Sequence, residues 1–327
     1  MVWAIDTDKG EKEKMEKFPK WTASNIPSQR GRSAIVTGTG GIGYETALEL
    51  AKNGAEVILA GRNAAKGAES VKKIRSSVTS ANIRFEELDL ASLESVQAFG
   101  ARMNKGRHSL DLLINNAGVM TPPTRKITKD GFELQFGTNY LGHFALTAHL
   151  MPLLRKGNKP RVISLGSVAH RSGSIHFDDL QFERRYHAME AYAQSKIAMI
   201  MFALELQRRS DASGWGLLSL PVHPGVSRTD LLLNGAGPNS TAGILRRFLG
   251  PILFQPAAQG ALPTLFAATS PDAKSGTYYG PGRLSETRGL PKPGKIAPQG
   301  LDAAVAARLW EVSKQLTDVD FDAIANS

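Results

Sequence analysis

Short apolar runs alternating with helix-patterned segments limit this chain more than any other feature. The first run, Ser33-Ala-Ile-Val-Thr37, ends in glycines and passes into a helical pattern from Ile42 to Asn53. Further strands are expected at Ala55–Ala60, Ile83–Leu88, Leu110–Ile114, Arg161–Leu165 and Gly216–Pro221. Helices are expected at Ala64–Ser77, Leu93–Met103, Phe132–Leu154 and Met189–Arg209. Such alternation builds βαβ units around a parallel sheet. The runs are continuous rather than alternating in polarity, which fits strands covered on both faces. Right-handed crossovers then give an α/β fold, a single-domain, Rossmann-type doubly wound parallel sheet with helices on both faces.

The flanks read differently. Residues 1–20 are charged and uneven, and are expected as a mobile arm before one domain spanning 21–327. Residues 230–300 are rich in Gly, Pro and Ser, with helical interludes near Ala242–Phe254 and Gln259–Ala268. Tyr278–Pro298 holds four glycines and four prolines and is expected as a long loop over one sheet edge. A substrate loop or lid is expected at 230–300, with Leu231, Leu232, Leu233, Phe248, Leu249 and Phe254 giving it an apolar lining. An amphipathic helix from Ala303 to Thr317 closes the chain.

The glycine loop Thr37-Gly-Thr-Gly-Gly-Ile-Gly43 lies between the first strand and the first helix. Gly38, Gly40 and Gly43 satisfy G-x-G-x-x-G in the strand–loop–helix context of a dinucleotide site. There Thr39, Gly41 and Ile42 complete a backbone path that approaches a pyrophosphate at a helix N-terminus. After the second strand, where NAD-preferring folds place an acidic residue, this chain has Arg62-Asn63. A guanidinium matches a phosphate, so NADP(H) is expected over NAD(H). Asp89-Leu90, after the third strand, is read either as the adenine edge or, with Ser92, as a helix cap.

Tyr192 and Lys196 are four residues apart in a helical segment and share one face. A nearby cation favours the phenolate, which would tune the phenol as a general acid/base. By itself the pair is also an ordinary feature of solvated helices. Ser167 follows the fifth strand, at the strand end where a parallel sheet places its ligands.

Together these features resemble the short-chain dehydrogenases/reductases, and within them the retinol-dehydrogenase-like branch, over about Trp21 to Thr317. The resemblance is carried by the glycine loop, Asn115-Asn116-Ala117-Gly118, Asn139-Tyr-Leu-Gly-His-Phe144, Ser167, Tyr192-x-x-x-Lys196 and His223-Pro-Gly225. It implies a catalytic set of Asn139, Ser167, Tyr192 and Lys196, with Lys196 also binding the nicotinamide ribose and Asn139 holding a water. It implies that Asn116, Ala117 and Gly118 line the cofactor ribose, and that Pro224, Gly225 and Val226 line the nicotinamide side. The implied reaction interconverts a carbonyl and an alcohol on a hydrophobic substrate. A non-catalytic NADP(H)-binding protein and a C=C reductase are the alternatives. Two departures stand out. The glycine loop is one residue shorter than the family's T-G-x-x-x-G-x-G, and it lacks the basic residue that NADP-dependent relatives often carry.

Composition narrows the rest. The 327 residues include no cysteine, which excludes disulfides, thiolate metal sites and thiol nucleophiles. The net charge of +10 is spread among acidic residues without an aromatic-interleaved basic block, so no nucleic-acid partner is expected. The histidines, His143, His170, His176, His187 and His223 among them, are too scattered for a metal site. No apolar run is long enough to span a bilayer and the first residues lack an apolar signal core, so a cytoplasmic protein is expected. Met199, Ile200, Met201 and Phe202 read as core or as a subunit interface, and a homo-oligomer is a further expectation.

Overall fold

A computed structural model describes residues 18, 20–226 and 255–321. The arm over residues 1–17, the helical interlude at 242–254 and Leu231, Leu232, Leu233, Phe248, Leu249 and Phe254 lie outside the described residues. Phe18, placed by sequence in the arm, packs 5.3 Å from Phe266 between ring centroids, beside Trp21.

The strands are β1 Ser33–Thr37, β2 Glu56–Gly61, β3 Ile83–Glu87, β4 Leu112–Asn115, β5 Arg161–Leu165, β6 Leu218–Val222, β7 Tyr279–Arg283 and β8 Arg288–Pro293. Between and after them come α1 Gly41–Lys52, α2 Ala64–Ser77, α3 Leu93–Gly106, α4 Gly142–Leu154, α5 Ala188–Ser213, α6 Ala257–Thr269 and α7 Ala303–Thr317. One sheet takes the order β3-β2-β1-β4-β5-β6-β7-β8. All pairs are parallel except β7–β8. Successive side chains feed opposite faces, as strand geometry demands. Ile35 joins Phe99, Phe144 and Phe202 on the face covered by α3, α4 and α5. Val36 joins Leu50, Trp21 and Phe266 on the face covered by α1 and α6.

Three expectations are corrected. Tyr278–Pro298 is not a loop but contains the antiparallel pair β7–β8, which closes one edge of the sheet. Its prolines hid it, yet edge strands tolerate residues that donate no ladder hydrogen bond. Residues 257–269 are no lid: α6 is a buried helix packed on α1. The helix expected from Phe132 begins later, because Glu133 bridges Ile127, and it opens with a wide π turn at Phe136–Leu141.

Met199, Ile200, Met201 and Phe202 are core, each at most 2 % exposed. Met199, Met201 and Phe202 share one core with α7, while Ile200 packs with Tyr278 and Leu204. Trp310 of α7 stacks 5.8 Å from Phe202 and meets Phe144 at 5.0 Å and Phe321 at 4.5 Å, while Arg209 lies 4.5 Å over its ring. Truncating such an aromatic leaves a cavity that cannot collapse fully. Trp310→Ala is therefore expected to cost about 3–5 kcal/mol in denaturant unfolding. An unchanged midpoint would show that α7 is not part of the cooperative core.

Candidate active site

A cavity of about 650 Å³ opens at the carboxyl ends of the parallel strands, where β1 and β4 lie side by side and the winding direction reverses. This is the position at which doubly wound sheets bind ligands. The sequence put one wall there for a specific reason: at its glycines the loop has no side chains to hold it off. A Cβ on Gly38 would press on the Asn116 amide, and one on Gly43 would overlap the Gly38 carbonyl. Gly38 and Gly41 also take positive φ of 93° and 52°, which glycine adopts freely. The shortened loop thus still turns into α1, with Gly40 as N-cap. The first amides of a helix have no intrahelical partner and favour an anion.

Thr37 fastens this wall. Its Oγ1 accepts the backbone N–H groups of Asn116 and Ala117, both at 2.9 Å, while Asn116 Nδ2 donates to the Thr37 carbonyl at 2.7 Å. His143 lies beyond, fully buried. Its Nδ1 donates to the Asn139 carbonyl at 2.8 Å, so Nε2 is the acceptor for the Thr37 hydroxyl at 2.9 Å. Burial pulls the His143 pKa down to about 4, which keeps the ring neutral. The imidazole thus joins the glycine loop to the π turn that carries Asn139.

Asn139 is locked by both ends of its amide. Oδ1 accepts Val119 N–H at 2.7 Å, and Nδ2 donates to the Val119 carbonyl at 3.0 Å and to Ser195 Oγ at 2.9 Å. Gly118 allows this approach: its Cβ would meet Asn139 Oδ1 at 3.0 Å and Lys196 Nζ at 3.6 Å. Tyr192 and Lys196 occupy one face of α5, 6 % and 5 % exposed. Nζ donates to the Leu165 carbonyl at 3.1 Å and sits 5.7 Å from the Tyr192 ring centroid. Ser167 caps the short turn Val168–Ser172, and it lies near enough to the Tyr192 phenol to lower its pKa.

The protonation states differ from the sequence expectation. Burial pushes the Tyr192 phenol up to about 12, only partly offset by the Ser167 side chain. Burial also draws Lys196 down to about 8. Lys196 does not depress the phenol here: its ammonium is desolvated too, and it is committed to Leu165 rather than to the phenolic oxygen.

Gly38, Thr39, Gly40, Gly41 and Ile42 line the cavity, as do Arg62 and Asn63, Asp89 and Leu90, and Asn116, Ala117 and Gly118. So do Ser167, Tyr192, Lys196, Pro224, Gly225 and Val226. Gly43 and Asn139 stand behind the wall. Ser92 is the N-cap of α3, and Asp89 caps only Ala91 while facing the cavity. Arg62 forms no ion pair among the described residues. Lys66, one turn into α2, lines the same end and was missed in the sequence, although its spacing from Arg62 was legible. Val119, Met120, Val168, Ala169 and Met189 make the end nearest Tyr192 apolar. Among the described residues no helix is long and apolar enough to cross a membrane.

The short chain dehydrogenase family profile matches residues 32–235. Retinol dehydrogenase 13 of Homo sapiens is 40% identical over 301 residues, covering 89% of this chain and 86% of that protein. Polyprenol dehydrogenase of Mus musculus is 39% identical over 310 residues, covering 92% and 89%. A crystal structure of an uncharacterised protein from Mycobacterium Paratuberculosis superimposes with a TM-score of 0.76 at 37% identity, covering 93% of this chain and 99% of that one. The chain belongs to the short-chain dehydrogenase family of oxidoreductases, in its retinol-dehydrogenase-like branch.

Proposed function

We propose that this chain interconverts a carbonyl and an alcohol on a hydrophobic substrate with NADP(H), using Tyr192 as the proton donor and acceptor. One observation carries the reading: Ser167, Tyr192 and Lys196 share one cavity with the glycine loop. The cavity fits a dinucleotide. It combines a backbone wall without side chains and a helix N-terminus, with Arg62 and Lys66 at the adenosine end. When bound, the cofactor supplies or accepts the hydride at the carbonyl carbon.

The residues supply the rest. Ser167 and Tyr192 donate hydrogen bonds to the substrate oxygen as charge develops on it. A phenol held neutral by burial is the form that gives a proton, so Tyr192 suits the reductive direction. Lys196 would hold the ribose hydroxyls, and Asn139 with Ser195 fixes the helix turn between Tyr192 and Lys196. Arg62 and Lys66, with no carboxylate at the end of β2, favour a 2′-phosphate. The apolar end beside Met120, Val168 and Met189 suits a bulky apolar group. The names of the relatives make retinol and polyprenols, with their aldehydes, natural first members of a substrate panel.

Three outcomes follow. Tyr192→Phe should lower kcat by about 10²-fold or more while NADPH affinity changes little, because the lost group acts on the proton alone; near-normal turnover would refute the assignment. Arg62→Asp should move the NADPH/NADH ratio of kcat/KM toward NADH by roughly 10–100-fold, the worth of a charge-assisted phosphate contact; an unmoved ratio would remove Arg62 from the phosphate site. Lys196 is charged below its pKa of about 8 and neutral above it, so kcat for carbonyl reduction should fall as pH rises through about 8. A flat profile through that point would contradict a role for the ammonium.

A further inference from the structure

Two segments flank the reacting end of the cavity: Ser167–Ser172 after β5 and His223–Val226 after β6. Behind the cavity both are tied to the turn between β7 and β8. In that turn Leu284, Ser285 and Glu286 take successive φ of 49°, 53° and 67°. Non-glycine residues enter this region at a cost, so three in a row mark a turn held by its surroundings. It aims Glu286 inward, with the side chain 17% exposed.

The Glu286 carboxylate has three partners. Oε1 accepts Lys295 N–H at 3.0 Å, which fixes its orientation. Oε2 lies 2.9 Å from Arg171 Nη2 and 3.3 Å from His223 Nε2, both ion-pair contacts without the alignment of a hydrogen bond. Arg171 belongs to the turn that Ser167 caps, and its Nη1 also donates to the Ser285 carbonyl at 3.4 Å. His223 faces the other segment. Its Nδ1 accepts Gly225 N–H at 3.2 Å, so the ring proton resides on Nε2, the side toward Glu286.

The same turn touches the cavity wall directly. Thr287 O accepts Val226 N–H at 2.9 Å, and a Cβ on Gly225 would strike that carbonyl. Tyr278, at the start of β7, stacks 4.9 Å from the His223 ring and meets His170 edge-on at 5.3 Å. His170 Nδ1 in turn donates to the Ser167 carbonyl at 2.6 Å.

The geometry points to Glu286 as a positioning residue: through Arg171 and His223 it holds the Ser167 segment and the Pro224–Val226 turn in register across the reacting end of the cavity. This rests on the reading that the nicotinamide occupies that end. Without the carboxylate, Nε2–H and Arg171 lose the oxygen they face, the ring is free to change tautomer, and Gly225 N–H loses Nδ1.

Equilibrium binding of NADPH and of adenosine 2′,5′-bisphosphate, which lacks the nicotinamide half, separates this role from a general loss of structure. Glu286→Ala should bind NADPH roughly 10-fold more weakly, bind the bisphosphate like wild type, and lose about 10–100-fold in kcat on a carbonyl that wild type reduces, as small misplacements do. Glu286→Gln keeps an oxygen that accepts Lys295 N–H and faces Nε2–H, and should stay within about 3-fold of wild type. Should Glu286→Ala fail to fold, Arg171→Met alters a side chain that is 41% exposed and should show the same split between the two ligands. Unchanged NADPH binding, equal weakening of both ligands, or a Glu286→Gln as impaired as Glu286→Ala would overturn the assignment. Wild-type protein that binds no NADPH would instead overturn the cofactor reading on which it rests.

Discussion

The site depends on how closely the glycine loop lies against the turn after β4. That contact is made by Thr37, whose carbonyl accepts the Asn116 side-chain amide. Thr37 Oγ1 takes two backbone N–H groups from Asn116 and Ala117, and hands its own proton to His143. All of this is buried, where an unmade hydrogen bond costs the full desolvation of the group left behind. The network therefore has one satisfied arrangement. It fixes the cradle for the dinucleotide and, through His143, the π turn that carries Asn139. Local widening of a helix at a functional residue is a known use of π turns. Here it lets the Asn139 carbonyl face an imidazole while the side chain grips Val119.

Burial sets the chemistry as strongly as it sets the shape. Tyr192, Lys196 and His143 are all shifted toward their neutral forms, and desolvation is the leading cause for each. A desolvated ammonium committed to the Leu165 carbonyl is a weak lever on a phenol, so proximity in sequence overstates what the pair does alone. On the proposed reading, Tyr192 held neutral by burial is set to give a proton rather than to take one.

Much of this was legible in the residues. Ser33–Thr37, Ala64–Ser77, Arg161–Leu165 and Ala303–Thr317 form the expected elements, because their apolar periods agree with the burial they meet. The glycine loop, Asn116 and Tyr192 to Lys196 came together because strand ends on one side of a parallel sheet converge. What escaped the sequence has physical reasons. The β7–β8 pair is rich in proline and glycine, and it pairs at an edge where those residues are tolerated. The depth of Tyr192, and hence its pKa, is a property of packing that no spacing reveals. Glu286 looks like a surface carboxylate in the sequence. Only a left-handed turn sends it inward to Arg171 and His223.

On the proposed reading, the glycine loop shares one cavity with Ser167, Tyr192 and Lys196 because hydride and proton reach the same carbonyl. The most direct measurement is consumption of NADPH by the full chain against a panel of apolar aldehydes and ketones, with the product identified. The account predicts that at least one apolar carbonyl is reduced to its alcohol with one NADPH oxidised per alcohol formed. Saturable NADPH binding with no consumption against any carbonyl would contradict it.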